Sequence, residues 1–249
     1  MSKLGRRIPP NFEHVSRFPL MSFIADPTSS LFIPPYPRER SLGLPWWWKQ
    51  HDQGNIGQCI GFGCSAMTSI TNRMQRYSNT GQWVTYRYAG PWLYQQAQLI
   101  DPWVDTPPAE GTDVNSAAKI LRDQGHRRVQ SGIARPVMIE HGISAYRWAQ
   151  NHDEIRAALW ANLAVAVGVS WYNSFFAPYE KDGELWIDIP PGNKVAGGHC
   201  VALYRMSDRR QAFRLMNSWG ASYPPVWIGY DTVDRLIAED GEVLVVTDR

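Results

Sequence analysis

The spacing of the apolar residues changes once along this chain, and that change constrains the fold more than any other feature. Up to about residue 163, apolar positions recur at three- and four-residue spacings, which is typical of amphipathic helices. Beyond that point, short apolar runs are separated by Pro, Gly, Asn or Asp, which is typical of strands. Helices followed by strands indicate an α+β protein, and 249 residues suffice for one large domain or two subdomains.

The same spacing predicts the individual elements. A long helix begins at Cys59 and continues through Met74, and a second helix, capped by Thr112, covers 113–124. Two further helices are predicted over 153–163 and 232–237. Six strands are predicted, at 164–171, 184–189, 199–204, 213–216, 226–230 and 242–246.

Residues 1–45 differ in composition from the rest, because they contain eight prolines. Proline breaks helices, so we expect an extended arm on the surface that serves as a docking site, a lid or a brace. Six residues are expected to anchor it: Phe12, Phe18, Phe23, Leu31, Phe32 and Tyr36. The domain proper then covers 46–249, with a helical part over about 50–150 and a strand-rich part over about 151–249.

Composition excludes several classes of function. The formal net charge of +2 and the scattered basic residues argue against a nucleic-acid partner. No apolar run reaches the roughly 20 residues that a membrane span needs, and no signal peptide is recognisable. Three cysteines are too few for a disulfide framework. We therefore expect a cytoplasmic protein, or one carried in a particle if the source is a phage, with no cofactor and no membrane partner.

The stretch "HDQGNIGQCIGFGCSAM" (51–67) allows three roles for its cysteines. A metal site would need a second short Cys/His pair, which the chain lacks. Packing in an apolar element suits Cys64 and Cys200. Cys59 suits a third role, that of a nucleophile, because it follows a glycine-rich turn at a helix N-terminus. There the dipole and unpaired N–H groups favour the thiolate.

A cysteine nucleophile needs a base and a group that orients the base. His199 begins the apolar strand of "GGHCVALY", and Asn217 ends the strand of "FRLMNSWG". Taken singly, His199 could be a core histidine and Asn217 a turn residue. The order Cys, His, Asn, with separations of 140 and 18 residues, is the one expected of papain-type enzymes.

These residues resemble the motifs of the papain-like (C1-type) cysteine peptidases. "QGNIGQC" places Gln53 six residues before Cys59, like the family's oxyanion-hole glutamine. "GGH" followed by "VAL" resembles the histidine strand, and "NSWG" matches the asparagine motif. "EGTDVNSAAKILRDQG" places Gly111 where the family has a cleft glycine. The resemblance covers roughly residues 50 to 230.

The resemblance implies a papain-like two-subdomain fold: a helical subdomain, an antiparallel β-barrel-like subdomain and an active site in the cleft between them. It implies an endopeptidase with Cys59, His199, Asn217 and Gln53 as its catalytic residues and a resting thiolate–imidazolium pair. A polypeptide substrate would lie against Gly111, Gly198 and Trp219, with a side-chain pocket near Gly168, Val169 and Gly197.

The sequence also departs from the family pattern. Ile56 replaces a cysteine that usually forms a disulfide, and Ile60 replaces a tryptophan. The arm does not resemble the family's helical propeptide. Three other functions remain open: a cell-wall amidase, a transferase that uses the same acyl-enzyme, and an inactive papain-like module for assembly, for example in a virion.

Overall fold

The computed structural model describes residues 4–10, 13–24, 31–45, 48–104, 109–129 and 137–248. Seven α-helices lie in these ranges: α1 Glu13–Arg17, α2 Met21–Ile24, α3 Cys59–Thr80, α4 Gly90–Gln98, α5 Val114–Asp123, α6 His152–Trp160 and α7 Tyr230–Glu239. The strands are β1 Glu39–Ser41, β2 Arg87–Tyr88, β3 His126–Val129, β4 Val137–His141, β5 Ile143–Ala149, β6 Val165–Tyr172, β7 Tyr179–Lys181, β8 Glu184–Ile187, β9 Val195–Ser207, β10 Ala212–Met216, β11 Val226–Gly229 and β12 Glu242–Asp248.

The larger sheet has nine strands and runs in the order β5-β12-β6-β9-β10-β11-β8-β7, with β1 paired to β9. Its pairs are antiparallel except for β11 with β8, which are parallel. A small sheet joins β2, β3 and β4. Helices packed on a large, mostly antiparallel sheet confirm the predicted α+β class.

The long helix α3 lies directly against β9, because glycines allow a close approach. A Cβ on Gly63 would lie 2.7 Å from the Cys200 sulfur of β9, and one on Gly61 would lie 2.1 Å from the Gly90 carbonyl oxygen of α4. The helix ends at Gly81, whose left-handed φ of 70° suits glycine. The N-terminus of α3 is therefore held against the middle of the sheet.

The predicted helices and strands are all present, with shifted ends. The predicted cap of α5 is wrong, since the Asp113 side chain, not that of Thr112, accepts the Ser116 N–H. Strand β9 is longer than predicted and includes Gly197 and Gly198. Strand β5 was missed, and it joins the large sheet beside β12 although it precedes residue 150.

The arm is held by aliphatic side chains more than by aromatic ones. Leu20, Leu31 and Leu42 are buried in the main core, and only Leu31 was predicted as an anchor. Phe18, Phe32 and Tyr36 are exposed. Phe12 and the side chain of Phe23 lie outside what the structure describes. In the described ranges, no helix is both long enough and apolar enough to span a membrane.

Candidate active site

Cys59 is the first residue of α3, and its side chain is fully buried. Backbone N–H groups of Cys200, Gly5 and Ile60 act to lower the pKa of its thiol. Cys200 follows His199 in β9, so the strand that carries the predicted base passes close to the thiol. Cys64 and Cys200 are also fully buried, in agreement with a packing role.

His199 and Asn217 form a buried hydrogen bond in which the two predicted residues meet. The distance from His199 Nε2 to Asn217 Oδ1 is 2.8 Å, and the Ser218 N–H donates to the same oxygen at 2.7 Å. Because an amide oxygen only accepts, Nε2 carries the ring hydrogen in the neutral imidazole, and Nδ1 is left as the acceptor. Nδ1 is buried and makes no hydrogen bond to any described residue. It is thus the ring nitrogen equipped to take a proton.

Aromatic rings enclose this histidine. Trp171 lies edge-on to it with ring centroids 4.7 Å apart, and Trp219 lies at 4.8 Å. Phe176 stacks on the far side of Trp219. Apolar rings exclude water from the histidine–asparagine bond, which strengthens it. Sequence reasoning found Trp219 and missed Trp171, whose only signal is its place on the strand paired with the histidine strand.

Gln53 lies in a segment that pairs with the asparagine motif. Its N–H donates to the Ser218 carbonyl at 2.8 Å, and its Oε1 accepts from Ser218 Oγ at 2.7 Å. Its Nε2 donates to the Ile56 carbonyl at 2.8 Å. The side chain is held in one place, in the turn that leads to Cys59.

The N-terminal segment Leu4–Arg7 occupies the predicted substrate cleft. The N–H groups of Gly5 and Arg6 donate to the Gly198 carbonyl at 3.1 and 3.0 Å. Thr112 donates to the Gly5 carbonyl at 3.1 Å and accepts from the Arg7 N–H at 2.8 Å. The segment therefore fills the cleft as an added strand, and it covers Cys59.

The contacts of this segment bear on the predicted substrate residues. Gly198 supplies its carbonyl, as described above. Gly111 has a φ of 104°, and its N–H and carbonyl are used by Tyr94 and Gln98, so the backbone groups that face the segment are those of Thr112. Sequence analysis missed Thr112 as a backbone partner in the cleft and named the neighbouring Gly111 instead.

Glycines make room for the segment along its length. A Cβ on Gly57 would lie 2.7 Å from the Leu4 carbonyl oxygen, and one on Gly198 would lie 2.2 Å from that of Arg6. Gly168 faces the Arg6 side chain, and Gly197 faces Leu4. The predicted pocket near Gly168 and Gly197 therefore lies where the segment passes.

Burial of the site favours its neutral form. It raises the pKa of the Cys59 thiol to about 12, although three backbone N–H groups act in the opposite direction. It lowers the pKa of His199 to about 4, against the opposing effect of the Asn217 hydrogen bond. The expected resting thiolate–imidazolium pair is therefore disfavoured while the segment covers the site.

The described residues contain no cluster of three or more His, Cys, Asp or Glu side chains that could hold a metal ion. The chemistry that this arrangement offers is nucleophilic attack by a thiol with an imidazole as base.

No protein-family model matches this sequence, and no curated protein matches it. Solved structures do match. Xylellain, a cysteine protease from Xylella fastidiosa, is 20% identical over 99% of this chain and 96% of its own, with a TM-score of 0.70. Procathepsin B S9 from Trypanosoma congolense is 13% identical over 99% and 87%, with a TM-score of 0.63. Digestive procathepsin L 3 from the larval midgut of Tenebrio molitor is 14% identical over 86% and 71%, with a TM-score of 0.58.

These likenesses define the class of architecture. The chain has the fold of the papain-like cysteine proteases over nearly its whole length, and the predicted fold is confirmed.

Proposed function

We propose that this protein is a papain-type cysteine endopeptidase that acts through an acyl-enzyme. Cys59 is the nucleophile, His199 the base and Asn217 the residue that orients the base. The observation that carries the proposal is the His199 ring: Nε2 is held by Asn217 at 2.8 Å, while the buried Nδ1 makes no hydrogen bond to any described residue. A merely structural histidine has no need of a fixed ring with one buried acceptor left open.

The mechanism follows from these positions. His199 Nδ1 takes the thiol proton, and the Cys59 sulfur attacks the carbonyl carbon of a peptide bond. The Cys59 N–H and the Gln53 amide donate to the resulting oxyanion, and removal of such a donor typically costs about 3 kcal/mol. His199 then protonates the leaving amine. Water, deprotonated by the same nitrogen, hydrolyses the thioester and releases the acid.

In the structure the segment Leu4–Arg7 must leave before a substrate can bind. Its backbone is held at Gly5, where the N–H donates to the Gly198 carbonyl and the carbonyl accepts from the Thr112 N–H. The segment is therefore an occupant of the cleft. Its departure hydrates the site, which lowers the pKa of Cys59 and raises that of His199 towards an ion pair.

The test is labelling of the full chain with an epoxysuccinyl thiol inhibitor at pH 6–7, followed by mass spectrometry of the labelled peptides. Gly5→Ala opens the cleft, since a Cβ there would lie 1.8 Å from the Gly57 carbonyl oxygen. We expect slow labelling of the unaltered chain and fast labelling of Gly5→Ala, in both cases at Cys59 and not at Cys64 or Cys200.

The matched control is Gly5→Ala combined with His199→Ala, which keeps the open cleft and removes the base. Labelling should then fall by at least about 100-fold, within the range that general-base catalysis contributes. If Gly5→Ala is not labelled at Cys59, a role as an inactive papain-like module is the better explanation. Turnover of a fluorogenic peptide amide by Gly5→Ala completes the test.

A further inference from the structure

One end of the large sheet carries a small apolar cluster that is separate from the main core. Trp186 of β8, Ala212 of β10 and Trp227 of β11 form this cluster. Trp227 is fully buried and Trp186 is nearly so. Phe213 and Ile228, their neighbours along the strands, belong to the main core. Because neighbouring residues of a strand point to opposite faces, the cluster is a second aromatic layer on the face that points away from the main core.

Arginine side chains cover this aromatic layer. Arg214 of β10 is in register with Arg205 of β9 and with Trp227 of β11, so these three side chains lie side by side on one face. The guanidinium carbons of Arg205, Arg210 and Arg214 lie 5.2, 5.1 and 5.3 Å from the centroid of the Trp227 ring. Three cations therefore converge on one ring. We call Arg205, Arg210, Arg214 and Trp227 the arginine face.

The charges of the arginine face do not balance. Arg214 forms an ion pair with Glu184 and donates to the Pro225 carbonyl at 3.2 Å. Arg205 and Arg210 form no side-chain hydrogen bond and no ion pair within the described ranges. Arg205 and Arg214 are also directly opposite each other, and like charges in that arrangement destabilise a sheet. One carboxylate against three guanidinium groups leaves a positive charge that suits an anionic partner.

A cover for the tryptophans does not explain this arrangement. A neutral side chain on either strand would shield the Trp227 ring without placing two cations opposite each other. A guanidinium group over an aromatic ring still has N–H donors available, and it can donate two of them to one carboxylate. Arg205 and Arg210 are therefore equipped to bind carboxylates while their stems cover the ring.

The shape of the arginine face decides between anionic partners. Trp227 is fully buried and Trp186 is 8% exposed, so neither offers an open ring to a nucleobase, on which binding of single-stranded nucleic acid depends. The same burial leaves no aromatic anchor for a membrane surface. Alternate side chains of an extended chain are about 7 Å apart, so one acidic segment can reach both Arg205 and Arg210 over the same ring.

We propose that the arginine face binds an acidic segment of a polypeptide, at a site separate from the catalytic cleft. Arg205 lies six residues along β9 from His199, which is about 20 Å in an extended strand. Arg205 and Arg210 donate to the carboxylates of the segment, and Arg214, held by Glu184, adds its charge. The binding site does not depend on the proposed peptidase activity, because none of its residues belongs to the catalytic set.

The experiment measures fluorescence anisotropy of labelled octaglutamate on the full chain at low ionic strength, where surface charges are screened least. We expect Arg210→Gln to weaken binding at least about fivefold, and Arg205→Gln combined with Arg210→Gln to weaken it at least about tenfold. The matched control is Arg209→Gln, because Arg209 is exposed in the same turn between β9 and β10 and carries the same charge. It should weaken binding less than about twofold.

Two further comparisons test the chemistry of the partner. Arg205→Lys combined with Arg210→Lys keeps the charge and the apolar stems but loses the planar forks, so binding of octaglutamate should weaken at least about threefold. Labelled oligothymidylate of equal charge should bind the unaltered chain more weakly than octaglutamate does.

Three outcomes would overturn the proposal. Equal losses in Arg209→Gln and Arg210→Gln would mean that diffuse surface charge binds the peptide. Absence of octaglutamate binding, or unchanged binding in the double glutamine variant, would mean that the arginines only cover the tryptophans. Tighter binding of oligothymidylate would assign the face to nucleic acid.

Discussion

Two arginines of this chain are fully buried against carboxylates, and they are held in different ways. Arg156 on α6 makes short bonds to both oxygens of Asp208, at 2.8 and 2.7 Å, and one of 2.7 Å to Asp153. It also donates to the Pro34 carbonyl at 2.9 Å. Arg6 has longer contacts, from Nη2 to Glu242 Oε2 at 3.2 Å and from Nη1 to Asp240 Oδ1 at 3.5 Å. Its Nε and Nη1 make no hydrogen bond in the described part of the chain. Burial is equal, but the completeness of the hydrogen bonding differs.

The difference separates a permanent part of the fold from a replaceable one. Asp208 also accepts from the Tyr230 hydroxyl at 2.8 Å and from the Arg38 N–H at 2.7 Å, so Arg156 and Asp208 join the arm, α6 and α7. Nothing could replace Arg156 without leaving these groups unpaired. Asp240 and Glu242, the partners of Arg6, are held in place by Ser170 and His14. They would keep their positions if another cationic group replaced Arg6.

The largest effect is expected for Arg156→Ala. Loss of one partner leaves the buried Asp208 carboxylate uncompensated, so the free energy of unfolding should fall by about 3–5 kcal/mol. Urea denaturation followed by tryptophan fluorescence measures it. The control is Arg122→Ala, whose partner Asp123 is exposed, and it should change stability by less than about 1 kcal/mol. Equal losses for the two variants would contradict the role given to Arg156.

A pH series tests the comparison further, because buried histidines make the stability of the whole fold depend on pH. Burial lowers the pKa of His51 and His126 to about 3 and that of His199 to about 4. Below about pH 6.5 the unfolded chain binds protons that the folded chain refuses, so these histidines lower stability as pH falls. From pH 8 to pH 6 their joint contribution should be a loss of about 2–3 kcal/mol in the free energy of unfolding.

Arginine keeps its charge throughout this range, so loss of either arginine adds no pH dependence of its own. Release of the segment in Arg6→Ala raises the pKa of His199, so this variant should lose less stability towards pH 6 than Arg156→Ala. His126→Gln, which can keep a hydrogen bond to Ser65, should reduce the pH slope of the loss. An unchanged pH dependence of stability would mean that His126 does not contribute to the loss.

Arg6→Ala should have a smaller effect on stability than Arg156→Ala and a larger one on access to the site. The segment can leave the cleft, and water can then hydrate Glu242, so we expect a loss of about 1–2 kcal/mol. The rate of Cys59 labelling should rise at the same time. Labelling of Cys59 in Arg156→Ala, measured under conditions in which this variant is folded, should proceed at the same rate as in the unaltered chain. A rise in both variants would mean that general loosening, and not release of the segment, exposes the thiol.

The lysine variants should each cost less than the alanine variant at the same position. Arg156→Lys loses the paired bonds to Asp208 and should cost about 2 kcal/mol, whereas Arg6→Lys keeps its charge near Glu242 and should cost less than about 1 kcal/mol. Parallel urea titrations measure the two losses. Similar costs would mean that Arg6 is held as completely as Arg156.

Sequence reasoning reached the parts of the fold that local patterns encode. The start of α3 at Cys59, the histidine strand and the turn at Asn217 each have a local signal. Strand β5 was missed because its burial does not alternate cleanly along "ISAYRWA", and its neighbours are distant in sequence. The cap at Asp113 was missed because Thr112 beside it is an equally good capping residue.

The contact between Arg6 and Glu242 could not be predicted, since the two residues are 236 residues apart in the sequence. No local rule connects an arginine before a proline-rich stretch with a carboxylate that opens the last strand. The neutral form of the resting site was also beyond the motifs, because it depends on the segment that covers them and not on the catalytic residues themselves.

The way in which Gly5 is held has a consequence for how long the chain lasts. A protein whose own segment turned a carbonyl carbon towards the sulfur would shorten itself during storage. Here the Gly5 N–H donates to the Gly198 carbonyl and the Gly5 carbonyl accepts from the Thr112 N–H, so a concentrated solution should keep its N-terminus for as long as the segment stays bound. N-terminal sequencing after prolonged incubation would record that durability directly, and any trimming would have to come from molecules whose clefts had opened.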